Sequence, residues 1–276
     1  MAPFLTVYRA TMPSSVITPQ TFRVPTPEGQ LHVQRWQPPV MADKAPVVLL
    51  HDSLGCVALW RAFPAQLAAA TGRAVVAYDR LGFGQSDAHP GRLAPGFVQA
   101  EVAASFTPVH QALGLDDFVI LGHSVGGGMA VQVAAAYAAQ CRALITESAQ
   151  SFVEDRTLAG IRAARDHFAQ PGQLERLARH HGDKAAWVLA AWVETWLSAA
   201  FADYRLDTAC QQVRCPLLAI HGECDEFGSL LHPENLCAWT PGPGEIDIIA
   251  GGGHVPHREQ PAHLLRRIAR FLQPLD

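Results

Sequence analysis

One short stretch sets the architecture of this chain: residues 117–129, which read DFVILGHSVGGGM. The apolar run that opens it predicts a buried strand, and the alanine-rich stretch 129–139 predicts a helix. Ser124 lies in the sharp turn between them, a context in which a serine is presented as a nucleophile. Such a turn strains the backbone, so the small residues Gly122 and Gly126 are needed to let strand and helix approach closely.

The same stretch also has a purely structural interpretation. The spacing Gly-x-Ser-x-Gly is a weak signal in a glycine-rich chain, and Ser124 would then only cap the helix that follows. A catalytic interpretation requires a base and an acid for the serine. They should lie after later strands, in the chain order Ser, Asp, His.

Continuous apolar runs predict strands that are buried on both faces of a sheet. They lie at 46–50, 74–78, 118–121, 143–145, 216–220 and 246–249. Two earlier segments alternate apolar and polar residues and predict an antiparallel hairpin, 21–24 and 31–36. Helix-like segments separate or follow these strands, at 60–70, 96–113, 126–139 and 261–272. The alternation predicts an α/β fold with a mostly parallel eight-stranded sheet flanked by helices.

One interval breaks this alternation. Residues 150–212 contain no strand candidate but several helical stretches, which predicts a helical cap inserted into the fold. We therefore divide the chain into a core domain, 1–149 and 213–276, and a cap, 150–212. The cap carries aromatic residues that either pack between helices or line a substrate pocket: Trp187, Trp192, Trp196, Phe201 and Tyr204.

Composition argues against several classes of protein. The 276 residues are 49% hydrophobic and 17% charged, with a formal net charge of −4, unlike a disordered chain. The arginines are scattered and form no basic stripe for nucleic acid. Residues 1–20 lack the pattern of a signal peptide, and no apolar run approaches the roughly 18 residues of a membrane span. We expect a cytoplasmic protein with no nucleic-acid and no membrane partner.

The cysteines show no paired Cys-x-x-Cys spacing and several lie in apolar runs, so we expect buried free thiols. They are Cys56, Cys141, Cys210, Cys215, Cys224 and Cys237. A metal site was considered for a group close in sequence: Cys215, His221, Cys224 and Asp225. Because side chains alternate between the faces of a strand, these ligands would scatter. We predict no metal site.

The base that Ser124 needs is best supplied by His254, in a glycine-rich loop directly after the last predicted strand. The acid that holds the tautomer of this histidine is Asp225, which follows the preceding strand. Ser124, Asp225 and His254 then have the required chain order. Less well placed alternatives remain for the two partners: His51, His123, His180, His181, His221 and His257 for the base, and Glu147, Glu223 and Glu226 for the acid.

With these residues in place, the chain resembles the α/β-hydrolase fold proteins that carry a helical cap, over residues 20–274. Four segments carry the resemblance: His51-Asp52-Ser53-Leu54-Gly55, Asp79-Arg80-Leu81-Gly82-Phe83-Gly84-Gln85-Ser86, the Ser124 turn, and the Asp225 and His254 loops, the last continuing into Glu259-Gln260-Pro261. The resemblance implies an oxyanion hole made by the backbone N–H groups of Val125 and Ser53. It implies no cofactor.

One position departs from the family pattern. Asp52 stands where the family usually has glycine, so a carboxylate lies near a site that stabilises negative charge. The side chain either turns away from that site or is paired. We hypothesise that Arg80, from the neighbouring loop, is its partner.

The resemblance and the three residues together predict a serine hydrolase that cleaves a small carboxylic ester or related acyl compound through an acyl-enzyme. The aromatic cap predicts a small-molecule substrate with an apolar part. Three alternatives stay open: a cofactor-free haloperoxidase or perhydrolase, a lyase on the same fold, and a non-catalytic binding or sensor protein. Asp52 is the feature that favours the last of these.

Overall fold

The computed structural model describes residues 17–40 and 43–275, which are built around one eight-stranded sheet. The strands are β1 (Gln20–Thr26), β2 (Gly29–Trp36), β3 (Val47–Leu50), β4 (Val75–Tyr78), β5 (Phe118–His123), β6 (Cys141–Glu147), β7 (Leu217–Gly222) and β8 (Gly244–Ile249). Their order across the sheet is β1-β2-β4-β3-β5-β6-β7-β8. β1 and β2 form an antiparallel hairpin, β2 pairs antiparallel with β4, and β3 to β8 run parallel. The predicted mostly parallel eight-stranded sheet is confirmed.

Helices cover both faces of this sheet. Those before β6 are α1 (Phe63–Thr71), α2 (Phe97–Glu101), α3 (Thr107–Leu113) and α4 (Val125–Ala136). Those between β6 and β7 are α5 (Asp155–Phe168), α6 (Gln173–His181), α7 (Ala185–Trp196) and α8 (Asp207–Cys210). Those after β7 are α9 (Leu231–Trp239), α10 (Pro256–Glu259) and α11 (Pro261–Leu272). The helix predicted at 261–272 is confirmed, whereas the one predicted at 126–139 ends at Ala136 because Tyr137 leaves the helical conformation.

Two hydrophobic layers, one on each face of the sheet, explain the apolar runs of the inner strands. The prediction that the run 246–249 is buried on both faces is wrong, because β8 lies at the edge of the sheet and most of its residues are exposed. Along β3, Val48 and Leu50 belong to the layer that contains α4, whereas Val47 and Leu49 belong to the layer that contains α1 and α11. Because side chains alternate between faces, every position of such a strand meets a core. Burial of each Val or Leu contributes about 1.5–3 kcal/mol. This burial fixes the positions of the carboxyl ends of the inner strands.

The chain between β6 and β7 is helical, as predicted. Within the described residues its single strand-like contact is an isolated bridge between Phe152 and Arg205. A small apolar cluster joins this segment to Phe83, in the loop after β4: Leu177, Ala185 and Val188. Lys184 Nζ also donates to two main-chain oxygens of the same loop, each at 2.9 Å. These contacts hold α6 and α7 over the carboxyl edge of the sheet.

All six cysteines are free, but the expectation that they are buried is only partly right. Four are buried: Cys56, Cys141, Cys210 and Cys215. Cys237 is half-buried in the last turns of α9. Cys224 is exposed because it lies in the turn after β7, beyond the part of the strand that is covered on both faces.

Two predictions concern location. Among the described residues, none of the helices has both the length and the apolar character to cross a bilayer. The predicted lack of a signal peptide depends on residues 1–20, of which 1–16 lie outside the described residues. A cytoplasmic location stays a prediction.

Candidate active site

Ser124 occupies the sharp turn between β5 and α4, where its backbone has φ 56° and ψ −125°. Such a conformation costs a residue with a side chain about 1–3 kcal/mol, which surrounding contacts must offset. The neighbouring glycines make the turn possible. A Cβ on Gly122 would collide with the main chain of Gly126, and a Cβ on Gly126 would collide with the main chain of Leu50. The turn holds the Ser124 side chain at the carboxyl end of β5, facing a cavity.

Two loops bring His254 and Asp225 to this serine. His254 follows β8, and its Nε2 lies 3.0 Å from Ser124 Oγ. Asp225 follows β7, and its Oδ1 and Oδ2 lie 2.9 and 2.8 Å from His254 Nδ1. An ionised carboxylate only accepts hydrogen bonds, so Nδ1 carries the proton and Nε2 presents its lone pair to the serine hydroxyl. The three residues singled out in the sequence therefore form one hydrogen-bonded chain.

Two further groups contact Asp225 besides His254. The Phe227 N–H donates to Oδ1 at 2.8 Å, and His221 Nε2 lies 3.4 Å from Oδ2. Burial alone would raise the pKa of the Asp225 carboxyl, but the hydrogen bond and charge of His254, together with His221 and the Phe227 N–H, lower it. Asp225 is therefore ionised at neutral pH.

The pKa of His254 is raised above its ordinary value. Burial opposes protonation of the ring, but the hydrogen bond and negative charge of Asp225 outweigh burial, with further contributions from Glu226 and Asp52. His254 is therefore a stronger base than a solvated histidine. This is the property required of a group that accepts a hydroxyl proton near neutral pH.

The two amides implied by the family resemblance border the same serine. Val125 is the first residue of α4, so its N–H has no partner within the helix. Ser53 lies in the turn after β3, and it lines the same cavity as Ser124. In the described part of the chain, neither N–H donates to a main-chain acceptor.

The hypothesised ion pair between Asp52 and Arg80 is wrong. The Arg80 guanidinium lies under the loop and donates from Nη2 to the main-chain oxygen of Asp52 at 2.8 Å. It also lies 4.2 Å from the centre of the Phe83 ring and contacts His51. The Asp52 carboxylate instead lies against Gly55, where a Cβ would collide with it, and lines the cavity. Neither arrangement expected from the sequence describes Asp52, which forms no ion pair with Arg80 and lines the cavity instead of turning away from it.

Several of the other candidates for base and acid are bound elsewhere, whereas Glu226 is exposed and lines the cavity and His180 is exposed on α6. His123 Nε2 donates to the main-chain oxygen of His254 at 2.8 Å, so it supports the loop rather than the serine. His257 Nδ1 lies 2.9 Å from Glu147 Oε1, and the His257 N–H donates to the same oxygen at 2.6 Å. Glu223 accepts a main-chain N–H of the loop before His254 at 2.9 Å.

A buried group of potential metal ligands was missed from the sequence. Ligand atoms of His123, Glu147 and His257 lie within 4.8 Å of one another. They come from the ends of β5 and β6 and from α10, so no local spacing reveals them. Burial lowers the pKa of His123 to about 4, so this ring is neutral. The main-chain oxygen of Glu147 also accepts the Ser124 N–H at 2.8 Å, so the group supports the turn from below.

The group considered for a metal from the sequence is not brought together. Cys224 is exposed, and Cys215 Sγ lies 3.6 Å from Cys141 Sγ. Of that group, His221 and Asp225 are in contact.

A cavity of about 230 Å³ opens above Ser124. Its walls are largely apolar side chains from α5, from α7 and from the loop after Asp225: Ile161, Ala164, Phe168, Trp192, Trp196 and Phe227. Gln150 lies beside the serine, with its Oε1 3.4 Å from Ser124 Oγ. The contribution of α5 was missed because its sequence carries only a weak apolar stripe among many charged residues.

The aromatic residues of the segment 150–212 divide between the two roles considered for them. Trp192 and Trp196 line the cavity. Trp187 stacks on His89, with ring centres 5.0 Å apart, and the rings of Phe201 and Tyr204 stack at 4.8 Å. Spacing in the sequence does not separate these roles, because both require a partly buried aromatic side chain.

Comparisons with known proteins agree with this architecture. A family model described as alpha/beta hydrolase fold matches residues 45–204. A segment of 119 residues is 34% identical to 1-acylglycerol-3-phosphate O-acyltransferase ABHD5 of Homo sapiens, covering 43% of this chain and 34% of that protein. The matched part therefore spans about a third of the length of that relative.

Solved structures resemble the chain over nearly its whole length. Proline iminopeptidase from Mycobacterium smegmatis matches with a TM-score of 0.70 at 23% identity, covering 92% of this chain and 98% of that one. Naproxen esterase (carboxylesterase NP) from Bacillus subtilis matches with a TM-score of 0.70 at 20% identity, covering 93% and 92%. The family model spans more than half of the chain, so this protein belongs to the alpha/beta hydrolase fold family.

Proposed function

We propose that this protein is a serine hydrolase that cleaves small carboxylic esters or related acyl compounds through an acyl-enzyme. One observation carries the proposal: His254 Nε2 lies 3.0 Å from Ser124 Oγ while its Nδ1 lies 2.8 Å from the buried Asp225 carboxylate. In hydrolases that use a serine, the base contacts the serine with one ring nitrogen and the orienting acid with the other. Esterase and peptidase names among the structural neighbours are consistent with such chemistry.

Acylation begins when Ser124 Oγ attacks the carbonyl carbon and its proton passes to His254 Nε2. The carbonyl oxygen becomes an oxyanion that accepts hydrogen bonds from the N–H groups of Val125 and Ser53, each contributing about 3 kcal/mol in the transition state. When the tetrahedral intermediate collapses, the bond to the alcohol oxygen breaks and the alcohol takes the proton from Nε2. Asp225 stabilises the imidazolium that exists between these two transfers.

Deacylation repeats the sequence with water as the nucleophile. His254 accepts a proton from the water, whose oxygen attacks the acyl carbon, and the proton then returns to Ser124 Oγ as the acid leaves. The proposal assigns no cofactor and no metal to these steps. We further propose that residues 150–212 act as a cap, because α5 and α7 supply apolar walls of the cavity above the serine. A small molecule with an apolar part fits such walls.

The test is hydrolysis of p-nitrophenyl esters with increasing acyl length, by the wild type and by Ser124→Ala. We expect hydrolysis by the wild type, a loss of roughly four to six orders of magnitude in turnover for Ser124→Ala, and an unchanged Tm. Ser198→Ala is the matched control, since this hydroxyl bonds to the Thr195 main chain and does not line the cavity. Retention of most activity by Ser124→Ala would remove the proposed nucleophile.

The same assay separates the alternatives. A haloperoxidase or perhydrolase would form peracid faster than acid when peroxide is added. A lyase or a binding protein would show no release of p-nitrophenol that depends on Ser124.

A further inference from the structure

The cavity above Ser124 carries negative charge. Two carboxylates line it: Asp52, beside Ser53, and Glu226, next in sequence to Asp225. No lysine or arginine is among the residues that line this cavity. His254 is the remaining titratable residue in the lining, and it is neutral in the state that accepts the serine proton.

Neither carboxylate forms an ion pair with a lysine or arginine within the described residues. The guanidinium of Arg80 donates to the main-chain oxygen of Asp52, and the charges of Glu101 and then Asp52 act on it. Glu226 is exposed. A cationic group of a ligand would therefore find both carboxylates without a salt-bridge partner.

Aromatic faces complete the same cavity. Phe168, Trp192, Trp196 and Phe227 line it, and the Phe227 ring lies 4.8 Å from the His254 ring and 5.8 Å from the Trp192 ring. Aromatic faces attract cations through their quadrupole, most strongly when the cation is removed from water. An apolar enclosure also lowers the local dielectric constant and strengthens the attraction between a cation and a carboxylate.

A neutral apolar ligand would contact the aromatic walls but would offer no partner to the two carboxylates. Displacing water from a carboxylate without replacing its hydrogen bonds is unfavourable. An anionic ligand would be repelled by both carboxylates. A ligand with a positive charge on an apolar body satisfies the carboxylates and the aromatic walls together.

We propose that the preferred substrates of this site are esters whose alcohol or acyl part carries an ammonium group, held between Asp52, Glu226 and the aromatic walls. This rests on the proposed hydrolase function and names its substrate class. The reacting bonds are those already described, so the ammonium group takes part only in binding. Esters with a carboxylate or phosphate in either part are poor substrates.

The test compares three acetate esters of similar size: the 2-(trimethylammonio)ethyl ester, its uncharged 3,3-dimethylbutyl isostere, and an ester whose alcohol part ends in a carboxylate. A matching set of p-nitrophenyl esters varies the charge of the acyl part. We expect kcat/KM for the better ammonium ester to exceed that of its neutral isostere at least about tenfold, with the anionic ester slowest. The ratio is expected to fall with added salt.

The decisive variant is Asp52→Asn combined with Glu226→Gln. We expect it to bring the ratio of ammonium to neutral ester to within about twofold, because the aromatic attraction that remains is weak at a partly solvated site. Glu175→Gln is the control, since Glu175 is an exposed carboxylate of α6 outside the cavity lining, and it should leave the ratio unchanged. A ratio near one in the wild type, or a high ratio that survives the double variant, overturns the proposal.

Binding is measured separately from turnover by tryptophan fluorescence in Ser124→Ala, since Trp192 and Trp196 line the cavity. We expect saturable quenching by tetramethylammonium. Neutral 3,3-dimethylbutan-1-ol should bind at least about tenfold more weakly, because it lacks both the cation–π contact and the attraction to the carboxylates. Equal affinities overturn the substrate class even if no ester is hydrolysed. Serine-dependent hydrolysis of all esters at similar rates would leave the hydrolase function standing and remove only the ammonium preference.

Discussion

The sheet and the helical segment 150–212 contribute to one cavity in different ways. Ser124 and Asp225 follow the fully buried strands β5 and β7, and His254 follows β8 at the edge of the sheet. The helices α5 and α7 instead contribute side chains that are partly exposed, such as Phe168 and Trp192. The sheet therefore positions the three hydrogen-bonded residues, whereas the helices supply most of the apolar wall of the cavity.

The two regions meet at the loop that carries the acid. Thr157 Oγ1, on α5, donates to the Phe227 oxygen at 2.7 Å, and Arg156 Nη1 donates to the Asp225 oxygen at 3.2 Å. A change in the position of α5 therefore acts on the loop that orients His254. Substitutions on the sheet and on the helices should therefore have different effects on activity and stability.

The largest effect is expected from Asp225→Asn, on the sheet side. An amide in this position favours the wrong tautomer of His254, so we expect kcat to fall about 10⁴-fold with the fold retained. Stopped assays with a p-nitrophenyl ester and circular dichroism measure the two properties. Glu223→Gln, in the same loop but exposed, should remain close to the wild type. A loss below tenfold for Asp225→Asn would show that another group orients the histidine.

Next in size is a pair of truncations, one in each region. Leu121→Ala removes a fully buried side chain of β5 and should lower the free energy of unfolding by about 2–5 kcal/mol. Phe168→Ala, at the partly exposed end of α5, should instead raise KM for apolar esters about tenfold, since it removes one pocket wall. Urea titration and steady-state kinetics separate the two results. Equal effects of both variants on stability and KM would contradict the assignment of stability to the sheet residue and of substrate binding to the α5 residue.

A pair of glycine substitutions tests the same division at the backbone. Gly126→Ala places a Cβ against the Leu50 and His51 main chain and should destabilise the protein by about 1–3 kcal/mol. Gly160→Ala, on α5, meets the Phe227 ring at 2.8 Å and the Glu226 main-chain oxygen at 3.0 Å but gains helix propensity, so its loss of stability should be smaller than that of Gly126→Ala. Thermal unfolding measures both. A larger loss for Gly160→Ala than for Gly126→Ala would contradict the account.

The smallest effect is expected in the pH profile. The neutral form of His254 is the base, and its pKa is raised above 6.5, so kcat/KM should fall on the acid side with a midpoint above that value. Because Glu226 helps to raise this pKa, Glu226→Gln should move the acid limb towards lower pH. Glu175→Gln should not move it. A midpoint below 6.5 in the wild type would contradict the hydrogen-bonded arrangement of His254 and Asp225.

Much of the sheet could be predicted because its signal is local. Each strand is a run of apolar residues ended by turn residues, and every predicted strand lies within two or three residues of the observed one. The Ser124 turn could also be predicted from a local signal, because a helix that follows a strand this closely requires glycine at 122 and 126. The positions of Asp225 and His254 followed from the rule that parallel strands end at the same edge of a sheet.

The pocket could not be predicted in the same way. Whether Trp192 lines a cavity or packs like Trp187 depends on how α7 is rotated over the sheet, which no local spacing records. The pairing of Asp52 with Arg80 failed for a related reason. A guanidinium can bind a main-chain oxygen as readily as a carboxylate, and the loop geometry that decides between them is a long-range property.

We expect Ser124 to form a covalent acyl intermediate within this cavity. The direct measurement is mass spectrometry of peptides after rapid acid quenching of the protein during turnover of a p-nitrophenyl ester. We expect one acyl group, on the peptide that contains Ser124, and none in Ser124→Ala. Ester turnover with Ser124 unmodified at every time point, or with the acyl group on another residue, would contradict it.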